Sequence, residues 1–228
     1  MPGVKHKYIV VVESAKDKAY HFLRKKIVNL ELRPGTLIST QNISDEMEIS
    51  RTPVREAFLK LQEENLLEIS HQKPSMVSRI DPIRVRQECF VRQTLETENL
   101  RLFMQKPSSY VIEKMQEKIA KQKEALKIRN YELYQELDNE FHLLPFSETG
   151  QDLAANVIRT MNGHYDRSRM LIRKSEDLTN DIIGEHEQLL KIITSGDIEQ
   201  SVELLRSHIE AINPIQDMLM QSWPDYFV

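Results

Sequence analysis

The 228-residue chain has a single cysteine, Cys89, so no disulfide framework is possible and a reducing, cytoplasmic setting is expected. Long apolar runs are missing too. The longest aliphatic stretch, residues 9–12, falls far short of the roughly 20 residues that a membrane-spanning helix needs. No signal-peptide pattern opens the chain, so no membrane partner is expected. Glycine is scarce at six residues, 29% of the chain is charged, and apolar residues recur at helical spacing; together these point to a mostly α fold. Low-complexity segments and internal repeats are absent. The length suits one large domain or two small ones.

The net charge of −4 does not by itself suggest a nucleic-acid partner, but the charge is unevenly placed. Residues 1–80 hold 13 Lys+Arg against 10 Asp+Glu, and residues 81–228 hold 18 against 25. A mildly basic part and an acidic part, divided at Ile80-Asp81-Pro82, fit a DNA-reading head (1–80) joined to a body with another task (81–228).

Residues 50–67 organise the first part. Ser50 or Thr52 can cap a helix here, and Pro53 falls in its first turn, where a missing N–H costs nothing. Val54, Ala57, Phe58 and Leu61 repeat at i, i+3, i+4, i+7 and define a buried face. Arg51 and Arg55 point the other way. Such a helix suits the major groove, although an ordinary amphipathic surface helix has the same pattern. Its surroundings favour the groove. Residues 1–12 read as an arm, residues 14–31 as a helix stopped by Arg33-Pro34-Gly35, and Leu37-Ile38 as a short strand. A second helix follows Ser39 or Thr40, and residues 67–70 and 75–78 alternate like two strands joined by His71-Gln72-Lys73-Pro74. This is the element order of a winged helix-turn-helix.

These residues resemble the N-terminal domain of GntR-type bacterial transcription regulators. The resemblance rests on Leu32-Arg33-Pro34-Gly35-Thr36-Leu37, Ile43-Ser44-Asp45 and, most specifically, Ser50-Arg51-Thr52-Pro53-Val54-Arg55-Glu56-Ala57. It implies a winged helix-turn-helix whose Arg51 and Arg55 meet operator DNA. Arg33, Ser50, Thr52, His71 and Lys73 complete the expected DNA-binding set, and the wing tip enters the minor groove. Asn65 stands where a glycine is usual, a position that asparagine tolerates in left-handed backbone.

Residues 81–228 read as about six helices, over 83–103, 111–128, 131–144, 152–173, 182–193 and 198–220. The first carries a stripe of Val85, Cys89, Arg92, Glu96, Asn99 and Phe103. A charged group in a buried stripe needs a partner, and two readings are open: an internal Arg92–Glu96 pair, or Arg92 holding an anion in a cavity. Asp138, His142, His186 and His208 also fall on faces that are otherwise apolar. Each histidine alone is most simply a core residue, but a carboxylate and three imidazoles together form a first-row transition-metal donor set. His164 has no such companions and is left out.

Asp-x-x-x-His at 138 and 142, Glu185-His186 and His208 resemble the effector domain of the FadR-type GntR subfamily, often called FCD, over residues 81–220. The resemblance implies an all-α bundle with a divalent metal on Asp138, His142, His186 and His208. Zinc is the first choice; nickel, manganese and iron are alternatives. Arg92-Gln93-Thr94-Leu95-Glu96 is similar to the family's Arg-x-x-Leu-Glu segment, which implies an arginine that meets a carboxylate effector. The expected protein is therefore not an enzyme but a homodimeric, ligand-responsive regulator that binds a pseudo-palindromic operator on double-stranded DNA. Its effector is a small organic acid bridging the metal and Arg92. Two rival readings are a metal-free pocket for a larger apolar ligand such as an acyl chain, and a metal-dependent enzyme.

Overall fold

The computed structural model describes residues 13–70, 73–175 and 182–228, so the arm expected over 1–12 and the wing residue His71 lie outside the described residues. Helix α1 (Ala15–Val28) begins where the Ser14 side chain accepts the Asp17 N–H, and it buries Ala19, Leu23 and Ile27. It stops short of residue 31 because Leu30 turns to φ 60° and inserts into the apolar core of the second half. Gly35, at φ +82°, leads into strand β1 (Leu37–Ile38). Helix α2 (Thr40–Met47) is capped by Ser39, which accepts from the Asn42 N–H, and ends on left-handed Glu48.

Helix α3 (Arg51–Glu63) buries Val54, Ala57, Phe58 and Leu61 as its periodicity predicts, though the Ser50 side chain makes no capping hydrogen bond. Asn65 takes φ 58° after this helix, the left-handed turn expected of it. Strands β2 (Leu67–Glu68) and β3 (Ser75–Val77) form the wing, and β1 joins it in an antiparallel sheet of order β1-β3-β2. Residues between Ala19 and Val77 share one apolar core. This is a winged helix-turn-helix.

The second half is all helix: α4 (Pro82–Gln105), α5 (Ser109–Lys127), α6 (Tyr131–Thr149), α7 (Asp152–Thr160), α8 (Gly163–Lys174), α9 (Ile182–Ser195), α10 (Ile198–Glu210) and α11 (Gln216–Ser222). These eight, among the described residues, correct the expected six. The helix read over 152–173 breaks at Met161-Asn162, and Gly163, the first residue of α8, packs its backbone against the head. A Cβ on Gly163 would lie 2.6 Å from Leu66 Cδ2. The helix read over 198–220 breaks at Pro214, in a one-turn 3-10 segment. Helix α6, by contrast, runs through Pro145 to Gly150. The lost hydrogen bond and ring clash cost about 3 kcal/mol, offset by burial of Phe146 against Ala155 and Ile158. On α5, Leu126 is exposed, and Gln122 and Ala125 face inward instead.

The two halves meet at the start of α8. Arg167, fully buried, donates to the Ser78 carbonyl (2.6 Å) and Ser78 Oγ (3.2 Å), and burial lowers its pKa to about 10. His164 accepts the Asp81 N–H on Nδ1 and donates from Nε2 to the Asn65 carbonyl, both at 3.0 Å. These roles require a neutral ring, consistent with burial and Arg167 holding its pKa down at about 3. The end of α3, the end of the wing and the start of α4 are thus fixed to one turn of one helix.

Glu88 on α4 completes the junction by accepting the backbone N–H groups of His164 and Tyr165, both at 2.8 Å, and Arg84 Nε at 3.0 Å. Burial dominates these contacts and, with Asp166 nearby, raises its pKa to about 7. The folded protein therefore holds a proton that the unfolded chain releases. The resulting stability is complete below the ordinary carboxylate range and is lost as pH rises through 7. Glu88→Gln should gain on the wild type by about 2 kcal/mol between pH 5 and pH 7.5, read by urea unfolding at both. Parallel pH profiles would show that Glu88 is ionised throughout.

Candidate functional site

On the head, Arg33, Ser50, Arg51, Thr52, Arg55 and Lys73 are all exposed. Neither Arg51 nor Arg55 forms an ion pair with any described residue, so both guanidiniums are available to a partner. They occupy the first and second turns of α3, opposite the apolar face that holds the helix on α1.

In the body, the histidines converge from three helices. α6 supplies His142, α9 supplies His186 and α10 supplies His208, and their ligand nitrogens all lie within 4.8 Å of one another. His186 Nε2 stands 3.3 Å from His208 Nε2. Each ring has an acceptor against Nδ1: Glu96 Oε2 at 2.7 Å for His142, Gln122 Oε1 at 2.9 Å for His186, and Glu185 Oε2 at 2.6 Å for His208. An Nδ1–H donated outward leaves the Nε2 lone pair facing the shared centre, the arrangement that orients histidines toward a metal. His142 Nε2 is buried with no hydrogen-bond partner. Burial lowers the pKa of both His142 and His186, so these rings are neutral and able to ligate.

Asp138 stands beside the histidines, with Oδ2 3.8 Å from His142 Nε2 and Oδ1 3.8 Å from His186 Nε2. Arg169 also donates to its Oδ2, and Arg173 lies 3.4 Å from Oδ1. Burial opposes its ionisation, but the guanidiniums of Arg169 and Arg173 outweigh that and hold the carboxyl well below its ordinary range. Asp138 is therefore both a neighbour of the histidines and the anion between two arginines.

Arg92 realises the internal pair: its Nε donates to Glu96 Oε1 at 2.5 Å, while Glu96 Oε2 holds His142. Its Nη1 is buried without a partner. The space beside His142, of about 20 Å³, is lined by Glu96, Asn99 and Phe141 but not by Arg92, which borders a larger cavity toward the head. The sequence reading missed Arg169 and Arg173. Their i, i+4 spacing is a weak signal, because an exposed helix face shows the same pattern. It also set aside His164, which is buried at the junction.

A winged helix-turn-helix seated on an all-α bundle with a buried histidine cluster defines a DNA-binding regulator with a sensory body. Residues 15–77 match the family described as bacterial regulatory proteins, gntR family, and residues 89–211 match the FCD domain. The chain belongs to the GntR family of bacterial transcriptional regulators, in the group that carries an FCD domain. It is 26% identical over 215 residues to the HTH-type transcriptional repressor RspR of Escherichia coli K12, covering 94% of each protein. It is 27% identical over 208 residues to an uncharacterized HTH-type transcriptional regulator in an unstable DNA locus of Streptomyces ambofaciens, covering 91% of this chain and 87% of that one. Among solved structures, E. coli McbR/YncC shares the fold with a TM-score of 0.79 at 19% identity, covering 93% of this chain and all of that one. A GntR regulator from Rhodococcus sp. RHA1 gives a TM-score of 0.77 at 16% identity, covering 92% and 99%. No helix among the described residues is long and apolar enough to cross a membrane.

Proposed function

We propose that this regulator binds its operator through Arg51 and Arg55 and that a small carboxylate at a divalent metal centre in the body controls its affinity. The observation that carries this reading is the convergence of His142, His186 and His208, each with Nδ1 occupied and Nε2 turned inward. Asp138 is the fourth ligand, and zinc suits a set of three imidazoles and one carboxylate. A bound metal would supply a Lewis-acidic anchor for the carboxylate. The chain's own part is a relay. Glu96 bridges Arg92 and His142, so an effector carboxylate that takes over Arg92 also frees His142 Nδ1 from its acceptor. Arg169 and Arg173 on α8 respond to the charge on Asp138, and the first turn of α8 holds the head. Ligand binding changes DNA affinity to the extent that it favours one of two head positions.

We place the division between reading head and effector body after residue 80. A homodimer, with one recognition helix and one wing per half-site, fits a pseudo-palindromic operator. Elemental analysis of untagged protein tests the centre. We expect about one metal per chain in the wild type and none in His186→Ala. Two metal-free preparations, even after incubation with zinc or nickel, would return the histidines to the core.

A further inference from the structure

We infer that a second ligand site, for a small dianion, lies at the seam between head and body. A cavity of about 330 Å³ opens there, within the size range of small-molecule sites. Arg24 and Lys60 come from the head, on α1 and α3; Arg92, Asn156 and Arg159 come from the body, on α4 and α7. The one carboxylate in the lining, Asp166, is already engaged by Asn162 at 2.9 Å and Arg169 at 3.0 Å. Arg24 is matched by Glu64 at 2.9 Å and Arg92 by Glu96 at 2.5 Å.

Lys60 and Arg159 have no such match. Neither lies within ion-pair distance of a carboxylate among the described residues, and the Lys60 ammonium rests over the Tyr20 ring at 3.6 Å. Arg92 borders the cavity too, but its Nε is paired with Glu96 and its Nη1 is shut off from the open space. Two uncompensated cations match a dianion with carboxylate or phosphate oxygens, and the amide of Asn156 offers a further donor.

The consequence is regulatory. Lys60 belongs to the recognition helix and Arg159 to the body, and the existing tie on this side is the hydrogen bond from Arg24 Nη2 to the Arg159 carbonyl at 2.6 Å. An anion held by both halves strengthens that tie and favours the head position seen here. The site goes beyond the metal-centred reading and stands without it.

Calorimetric titration of the full chain with succinate, and separately with inorganic phosphate, tests the site in chloride buffer of matched ionic strength. We expect saturable binding of at least one of the two, weakened tenfold or more by Lys60→Gln and by Arg159→Ser. Binding should change less than twofold in His186→Ala. Both of the first two substitutions are at partly or fully exposed positions and leave the core intact. Absence of saturable heat from either anion would overturn the inference, as would affinity that survives both substitutions. Loss of binding in His186→Ala would also overturn it by assigning the anion to the histidine centre. Tighter binding of phosphate than succinate would identify a phosphorylated ligand class, and the reverse a dicarboxylate. The metal content of His186→Ala is read separately, so the two proposals fail independently.

Discussion

Replacing Arg51 and Arg55 together by alanine is expected to weaken operator binding by about 10²–10⁴-fold, from about 1–3 kcal/mol per bidentate arginine. The duplex for this measurement can be recovered by selection with the wild-type protein from a random-sequence pool. If both side chains contact phosphates instead, the loss will be shared by all duplexes and the salt dependence will fall by about one unit per arginine. Either way the fold should be untouched, because both side chains are exposed and unpaired, and such surface changes typically stay within about 0.5 kcal/mol each. Affinity within threefold of the wild type, with an unchanged salt slope, would remove α3 from the DNA interface.

The second large effect concerns Asp138. Its carboxylate lies between Arg169 and Arg173 while it neighbours His142 and His186. Asp138→Asn leaves the buried Arg173 guanidinium without a carboxylate and Arg169 with Asp166 alone, and breaking a buried pair in this way costs about 3–5 kcal/mol. The midpoint of urea unfolding should therefore drop sharply in chelator-stripped protein, where no metal contributes. His186→Ala under the same conditions removes a neutral ring and should cost less. If Asp138 served only a metal, the stripped wild type and stripped Asp138→Asn would unfold together. Adding Arg173→Met to Asp138→Asn should recover part of the loss, since it removes the guanidinium left without a carboxylate.

Much of the fold was legible because its determinants are local. A proline in the first turn, an i, i+3, i+4, i+7 apolar face and an asparagine able to take a left-handed turn specify α3 and its end without reference to the rest of the chain. The histidines and Asp138 were legible for the same reason: each stands out against an apolar helical stripe, and their chemical types suggest one purpose. Where local signals compete with packing, the reading stopped short. The helix read over 131–144 stops one residue before Pro145, but burial of Phe146 carries α6 past it.

What the sequence determined by itself is the order of the elements, the exposed arginines of α3 and the donor types of the histidine centre. Only the tertiary structure decided that Arg92 borders the seam between head and body, and that α8 joins the two. That helix contains His164, Asp166, Arg167, Ser168 and Arg169, and it is nonetheless buried almost throughout. Apolar periodicity marks burial only when burial is apolar. A helix that enters the interior through hydrogen bonds to Ser78 and Asn65 and ion pairs to Asp138 has no such mark, because its partners are distant in the chain and meet only when the protein folds.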